Sequence, residues 1–308
     1  VGVTIHDAID EFVFAKATEG VAQRTLVNYR LSMLRFTRWS DVAYPGLRTE
    51  GMTADVIRGY ITSLQAERIR EVTVSSYVRI LRVFVRWLEK EGHIDASPFN
   101  RGRVKVPKYG QTFPEAIEPE TFERLLKACN LRRPAGRRDH AIIRFLYDTG
   151  VRVGELCNLT LDDIDVPGGR AKVHGKGRRE RMVFFGAETQ RSLQRYRVRL
   201  AGSVKPDRKA FISKSFFLTD VLAPLKPNTV QQILKRSAIR ASVTDRVNPH
   251  GFRHGFGVGY VMRGGDIRSL QQIMGHAAVT TTEMYTHMTE DQLASMHTKF
   301  SPAGHRGS

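Results

Sequence analysis

The sequence predicts a mostly α-helical protein with one small antiparallel β-sheet, divided into two domains. Three observations carry that prediction. Apolar residues recur at helical spacing along most of the chain. A single stretch, residues 161–185, reads instead as short strands between glycine-rich turns. A proline-rich break around residues 98–114 divides a 308-residue chain, and that length is itself a prior for two domains.

Taken in order, "VGVTIHDAIDEFVFAKA" reads as an amphipathic helix carrying acids, not as a secretory leader. "QRTLVNYRLSMLRFTRWSD" reads as a second helix, with Arg24, Arg30, Arg35 and Arg38 on it. "TADVIRGYITSLQAERI" places Val56, Ile57, Tyr60, Ile61 and Leu64 on one stripe, and "TVSSYVRILRVFVRWLEKEG" does the same with Val74, Tyr77, Leu81, Phe84, Val85 and Leu88. Thr53 and Thr73 are expected as N-caps and Gly92 as a C-terminal stop. After the break, "PETFERLLKACN" and "RDHAIIRFLYDTG" return to helical spacing, the latter stopped by Gly150. "LDDIDVPGGRAKVHGKGRRERMVFF" supplies three strand-like runs separated by "PGG" and "GKGRR" turns. From Thr189 to about Phe300 helices are expected again, with a frayed "SPAGHRGS" behind them.

Lysine and arginine total 49 against 31 acids, a formal net charge of +18. The excess runs through amphipathic elements and forms no tail, which suits a polyanionic partner such as nucleic acid. Arg79, Arg82, Arg86 and Lys90 lie between the apolar positions of one helix, as either a solvated face or a face laid along a phosphate backbone. No run of about 18 apolar residues occurs, so no transmembrane helix is expected; a cytoplasmic, nucleoid-associated location is the expectation. Cys129 and Cys157 lack metal-ligand spacing and are expected as reduced, buried thiols on helices. No histidine–cysteine cluster suggests a metal, and no cofactor is expected.

Five motifs carry candidate chemistry, and each has an ordinary structural explanation alone. In "TGVRVGEL", Arg152 follows the Gly150 stop, with Glu155 three residues on; the arginine is a surface residue or an anion clamp. In "HGKGRRERM", Lys176 sits at a hairpin tip, idle in solvent or able to swing into a site. In "NPHGFRHGFG", a helix starting at Pro249 puts His250 and Arg253 one turn apart on one face, while His254 is rotated off it. Arg253 could fork two donors onto phosphate oxygens. Gly255, Gly257 and Gly259 alternate in this segment, at a cost in helix stability that suggests close packing. "LQQIMGH" ends a helix at Gly275 and presents His276, as a cap or a donor. "VTTTEMYTHM" holds Tyr285, either a packed aromatic or a nucleophile.

The ordered set is more specific than its members. Arginine, lysine, histidine-x-x-arginine, glycine–histidine and tyrosine follow one another, with 23 residues from Arg253 to His276 and 9 from His276 to Tyr285. With "GGDIRSLQQIMGH" and "TTTEMYTHM", these boxes resemble the tyrosine recombinases, also called the phage integrase family. The resemblance covers roughly residues 115–300; the N-terminal half fits that family's helical domain only by pattern and length. Phe252 and Met274 depart from the frequent leucine, both volume-tolerant exchanges.

The resemblance implies a two-domain DNA clamp: residues 1–97 a helical, SAM-like core-binding domain, 98–114 a linker, and 115–308 the catalytic domain. It implies a 3′-phosphotyrosine at Tyr285 and a free 5′-hydroxyl. A phenol is a suitable nucleophile, because it loses its proton near pH 10 and leaves readily when the bond is reversed. Without a metal, fixed cations must stabilise the phosphorane. Arg152 and Arg253 are the expected clamp, and His276 adds a hydrogen bond. Lys176 is the expected general acid toward the 5′-oxygen, His250 the base toward the phenol, and Glu155 orients the cations.

The resemblance further implies a homotetramer on two duplexes, exchanging strands through a Holliday junction at specific sites, with accessory proteins in some systems. The C-terminal helix in "MTEDQLASMHTKF" would dock on a neighbour or on its own domain. Integration, excision or transposition of a mobile element is the leading role, because "HTKFSPAGH" departs from the usual Xer pattern; Xer-like resolution of chromosome or plasmid dimers is the alternative. A type IB topoisomerase-like nicking–sealing enzyme and a non-catalytic DNA-binding protein are the competing classes.

Overall fold

The computed structural model describes residues 2–107, 115–175, 180–203 and 214–275. The chain divides into two compact units, Val1–Thr112 and Phe113–Ser308. Among the described residues it is mostly helical, with one three-stranded antiparallel sheet.

The first unit is built on four helices: α1 (Ile5–Thr18), α2 (Gln23–Ala43), α3 (Ala54–Ala66) and α4 (Glu71–Lys90). Thr4 caps α1 by accepting from the Asp7 amide, and Thr53 caps α3 through the Val56 amide. The anticipated stripes form the core. Ile57, Tyr60, Leu64, Leu81, Phe84, Val85 and Leu88 are all buried together, with Ile61 and Tyr77 packed at the edge. Phe12 meets Phe84 and Trp87 edge-on, and Phe36 meets Tyr60 likewise. Thr73 is not an N-cap: α4 starts two residues earlier, at Glu71, with Arg70 as its N-cap. An acid at the first helical position complements the helix dipole, which a threonine cap at 73 would have forfeited. Gly92 does stop α4, at φ +77, where the His93 amide reaches back to the Leu88 carbonyl. Arg79, Arg82, Arg86 and Lys90 are exposed along one face of α4. Beyond it, Phe99 and Val104 are buried in the same core around a 3₁₀ turn, Asn100–Gly102. Residues 108–114 of the proline-rich stretch lie outside the described residues.

The second unit contains α5 (Pro119–Lys127), α6 (Pro134–Thr149), α7 (Val153–Asn158), α8 (Ala187–Ser203), α9 (Pro227–Arg240), α10 (Pro249–Met262) and α11 (Ile267–Met274). Helix α6 is its hub: Ala141, Ile142, Phe145 and Leu146 are fully buried, and α5, α8, α9 and α10 pack around them. The strands are β1 (Ile164–Asp165), β2 (Arg170–His174) and β3 (Glu180–Phe184), in the order β1-β2-β3. In their register Ala171 faces Val183, both fully buried, while Lys172 faces Met182 on the outer side. Phe252 and Met274 are fully buried, so the two departures from leucine fill core positions. Cys157 lies in α7, but Cys129 falls just past the end of α5 and donates to the Leu125 carbonyl. Burial pushes both thiols up, to about 12 for Cys129 and about 11 for Cys157, so neither offers a thiolate.

Candidate active site

The site begins where α6 stops. Gly150 takes the left-handed conformation at φ +59, and a Cβ there would stand 2.5 Å from the Phe256 ring. The turn passes directly into α7, with Arg152 as its N-cap. Glu155 reaches back: one carboxylate oxygen accepts from the Arg152 amide at 2.8 Å, the other from the Arg152 guanidinium at 3.0 Å. The Glu155 side chain is 3% exposed and that of Arg152 45%. The carboxylate is thus sunk in the protein while the guanidinium keeps a path to solvent.

Helix α10 brings the second arginine. Pro249 occupies its first position, and the Asn248 side chain accepts from the amides of His250 and Gly251. This cap fixes the phase of the helix, so His250 and Arg253 rise one turn apart. Arg253 is 3% exposed; it donates to the Gly150 carbonyl and to the Met274 carbonyl, each at 2.6 Å. Partial burial, then the charges of Arg253 and Arg152, lower the pKa of His250. Its imidazole is therefore neutral at neutral pH and able to accept a proton. Burial and His250 lower His254 in the same direction. The glycines of α10 allow this helix to approach the chain entering α5: a Cβ on Gly255 would lie 2.6 Å from the Ile117 carbonyl oxygen, and one on Gly251 3.0 Å from that of Glu115.

These elements meet at the end of α11. Asp266 caps its start, and Gly275 ends it at φ +63. Three consecutive carbonyls there accept from three arginines: Ile273 from Arg181 at 2.7 Å, Met274 from Arg253 at 2.6 Å, and Gly275 from Arg152 at 3.2 Å. Cations at a helix C-terminus satisfy its unpaired carbonyls and its dipole. Arg152 and Arg253, 101 residues apart in sequence, therefore stand side by side. The next residue is His276. His276, Tyr285 and Lys176 lie outside the described residues, as does the helix expected after Thr289.

Arg181 is the participant that motif reading missed. It forks onto both Glu155 oxygens at 2.7 and 2.8 Å, and its side chain is 12% exposed. Burial pushes the Glu155 carboxyl up, but hydrogen bonds from Arg181 and from the Arg152 amide and guanidinium outweigh it, so its pKa falls below the usual carboxylate range. The signal was present in the strand alternation. Arg181 shares its face with Val183, and an arginine on the inner face of a strand needs an acceptor. At the root of the same hairpin, His174 sits between Asp163 and Glu180, at 3.1 and 3.2 Å. It closes the ladder as the last register pair before Gly175. Among the described residues, no group of three histidine, cysteine or acidic side chains is arranged to hold a metal.

Residues 115–292 match the phage integrase family, and residues 9–92 match the phage integrase N-terminal SAM-like domain. The tyrosine recombinase XerC of Oceanobacillus iheyensis is 33% identical over 96% of this chain and 95% of its own. The tyrosine recombinase XerD of Pseudomonas aeruginosa is 31% identical over 97% and 98%. Among solved structures, the Tn1549 transposon integrase in complex with a circular intermediate DNA superposes with a TM-score of 0.73 at 18% identity, covering 97% of this chain and 99% of that one. The chain belongs to the phage integrase family, the tyrosine recombinases, a class of DNA strand-transfer enzymes.

Proposed function

We propose that this site-specific recombinase cleaves duplex DNA with Tyr285, using Arg152, Arg253 and His276 to hold the scissile phosphate. The observation that supports this most is the meeting of Arg152 and Arg253 at adjacent carbonyls, immediately before His276 in the chain. Two guanidinium groups fixed side by side offer preorganised donors to the non-bridging oxygens, worth ~3 kcal/mol each by analogy with oxyanion holes. The Tyr285 oxygen attacks phosphorus and the bond to the 5′-oxygen breaks. The phenolic proton passes to His250, neutral in its cationic setting, and Lys176 protonates the departing 5′-oxygen. Resealing reverses both transfers, with the 5′-hydroxyl attacking the phosphotyrosine. Glu155 holds Arg152 in aim.

In this reading residues 1–97 form the core-binding domain, 98–114 the linker and 115–308 the catalytic domain of a clamp around double-stranded DNA. Four copies assemble on two specific sites in the cytoplasm, at the nucleoid, with accessory proteins where direction must be set. The test is a DNA adduct that survives SDS. Wild type should form one on duplexes selected from random sequence, and Tyr285→Phe should form none; an adduct retained by that variant would remove Tyr285 from the reaction.

Integration, excision or transposition of a mobile element is the role the sequence of residues 297–305 favours. A second reading, dimer resolution, is favoured by XerC and XerD relatives that match along nearly their whole length. Mapping the captured sites separates the two: paired element ends support the first, a single chromosomal or plasmid locus the second.

A further inference from the structure

We propose that Arg181 is a positioning residue for strand cleavage, tying the strand that follows the Lys176 hairpin to Glu155 and to the end of α11. The inference rests on the recombinase reading above. Among the described residues, Arg181 makes no hydrogen bond to a side chain assigned to the phosphate. It acts on three groups that set its geometry. Its fork takes both oxygens of Glu155, whose remaining hydrogen bonds hold Arg152 in place. Its Nε holds the Ile273 carbonyl, three residues before His276. Its stem packs beneath the Gly275 turn, where a Cβ would stand 3.0 Å from the Arg181 Cδ. It follows Lys176 by five positions in the chain. One side chain thus touches both the carboxylate that supports Arg152 and the end of α11.

The charge balance adds a consequence for pH. The charged groups facing Glu155 are Arg152 from its own N-cap and Arg181 from β3. On α10, His250 feels the charges of Arg253 and Arg152. Loss of Arg181 would leave a buried carboxylate with one ionic partner, and its pKa would climb. Protonated Glu155 loses its ion pair with the Arg152 guanidinium, so cleavage would fail at a pH where the native enzyme still works. Lysine at 181 would restore the charge but not the planar fork.

The experiment measures adduct formation and DNA affinity from pH 5 to 8, on a nicked duplex recovered by Tyr285 capture. Arg181→Met should bind that duplex as wild type does. It should cleave roughly 10–100-fold more slowly at pH 7, the range seen when residues orienting metal ligands are lost. Its acid limb should move upward. Arg181→Lys should return the limb to its native position while staying slower than wild type. Arg181→Met with Glu155→Gln should show no shifted limb, because no carboxylate remains to titrate. If Arg181→Met folds poorly, the lysine variant and the double variant carry the same comparison. Native rates and pH profiles in Arg181→Met and Arg181→Lys would overturn the proposal, as would a loss confined to DNA affinity. Failure of wild type itself to form a Tyr285-dependent adduct would instead overturn the parent reading, and this one with it.

Discussion

Gly255 and Gly154 show how much a single hydrogen can decide. Both are helical glycines of the catalytic unit. A Cβ on Gly255 would press on the Ile117 carbonyl oxygen and the Tyr147 ring, whereas one on Gly154 meets nothing within 4 Å. Backbone cannot yield as a flexible side chain can. Gly255→Ala should therefore cost ~1–3 kcal/mol in chemical denaturation, as overpacked cores do. Gly154→Ala should be neutral or gain up to about 1 kcal/mol, because alanine favours helix. Equal effects at the two positions would contradict the packing. The alternating glycines already suggested a close approach in sequence, but not which of them makes it. That depends on the path of residues 115–117, which carries no periodicity. For Arg181 the strand alternation marked an inward arginine but not its partner: Glu155 lies 26 residues away, and no local pattern links a strand arginine to a helix-cap glutamate.

Between elements, the apolar stripes translated directly into packing, because each helix buries the face its spacing defines. The sheet was equally legible from its turns. What the stripes do not encode is the polar bond between two helices, such as His140 of α6 against Ser192 of α8 at 2.6 Å. Burial, with Arg144 and Arg195, lowers the His140 pKa from 6.5 to about 4. The sign of the linkage follows. Between those two values the unfolded chain takes up the proton and the folded one does not, so stability falls as pH drops through that window. The melting temperature should decline from pH 7 to pH 5, by roughly 2–4 °C for each kcal/mol lost in a domain of this size. His140→Gln should show a shallower decline, since His250 and His254 are shifted the same way and remain. An unchanged slope in that variant would assign the pH dependence elsewhere.

For the whole molecule, the governing quantity is the excess of 18 positive charges. Binding to its selected duplex should weaken steeply with salt, with log K falling against log salt by about 0.9 for each phosphate neutralised. Replacing Arg79, Arg82, Arg86 and Lys90 with glutamine should flatten that slope by the same increment, about 0.9, for every phosphate this row pairs with. An unaltered slope would leave this row of α4 as solvated surface. Charge and motif order made the class readable before any fold was known, since both survive in one dimension. The pairing of Arg152 with Arg253 was expected through the family resemblance, but the third arginine was not, because β3 brings Arg181 to the end of α11.

That convergence also governs how the centre comes apart. A helix terminus normally frays alone, one residue at a time. Here each of the last three peptide oxygens of α11 and its glycine turn is held by a side chain anchored in a different part of the unit. Fraying that end costs contacts with β3, α10 and α7 at once, so the terminus of α11 is tied to three elements rather than to its own turn alone.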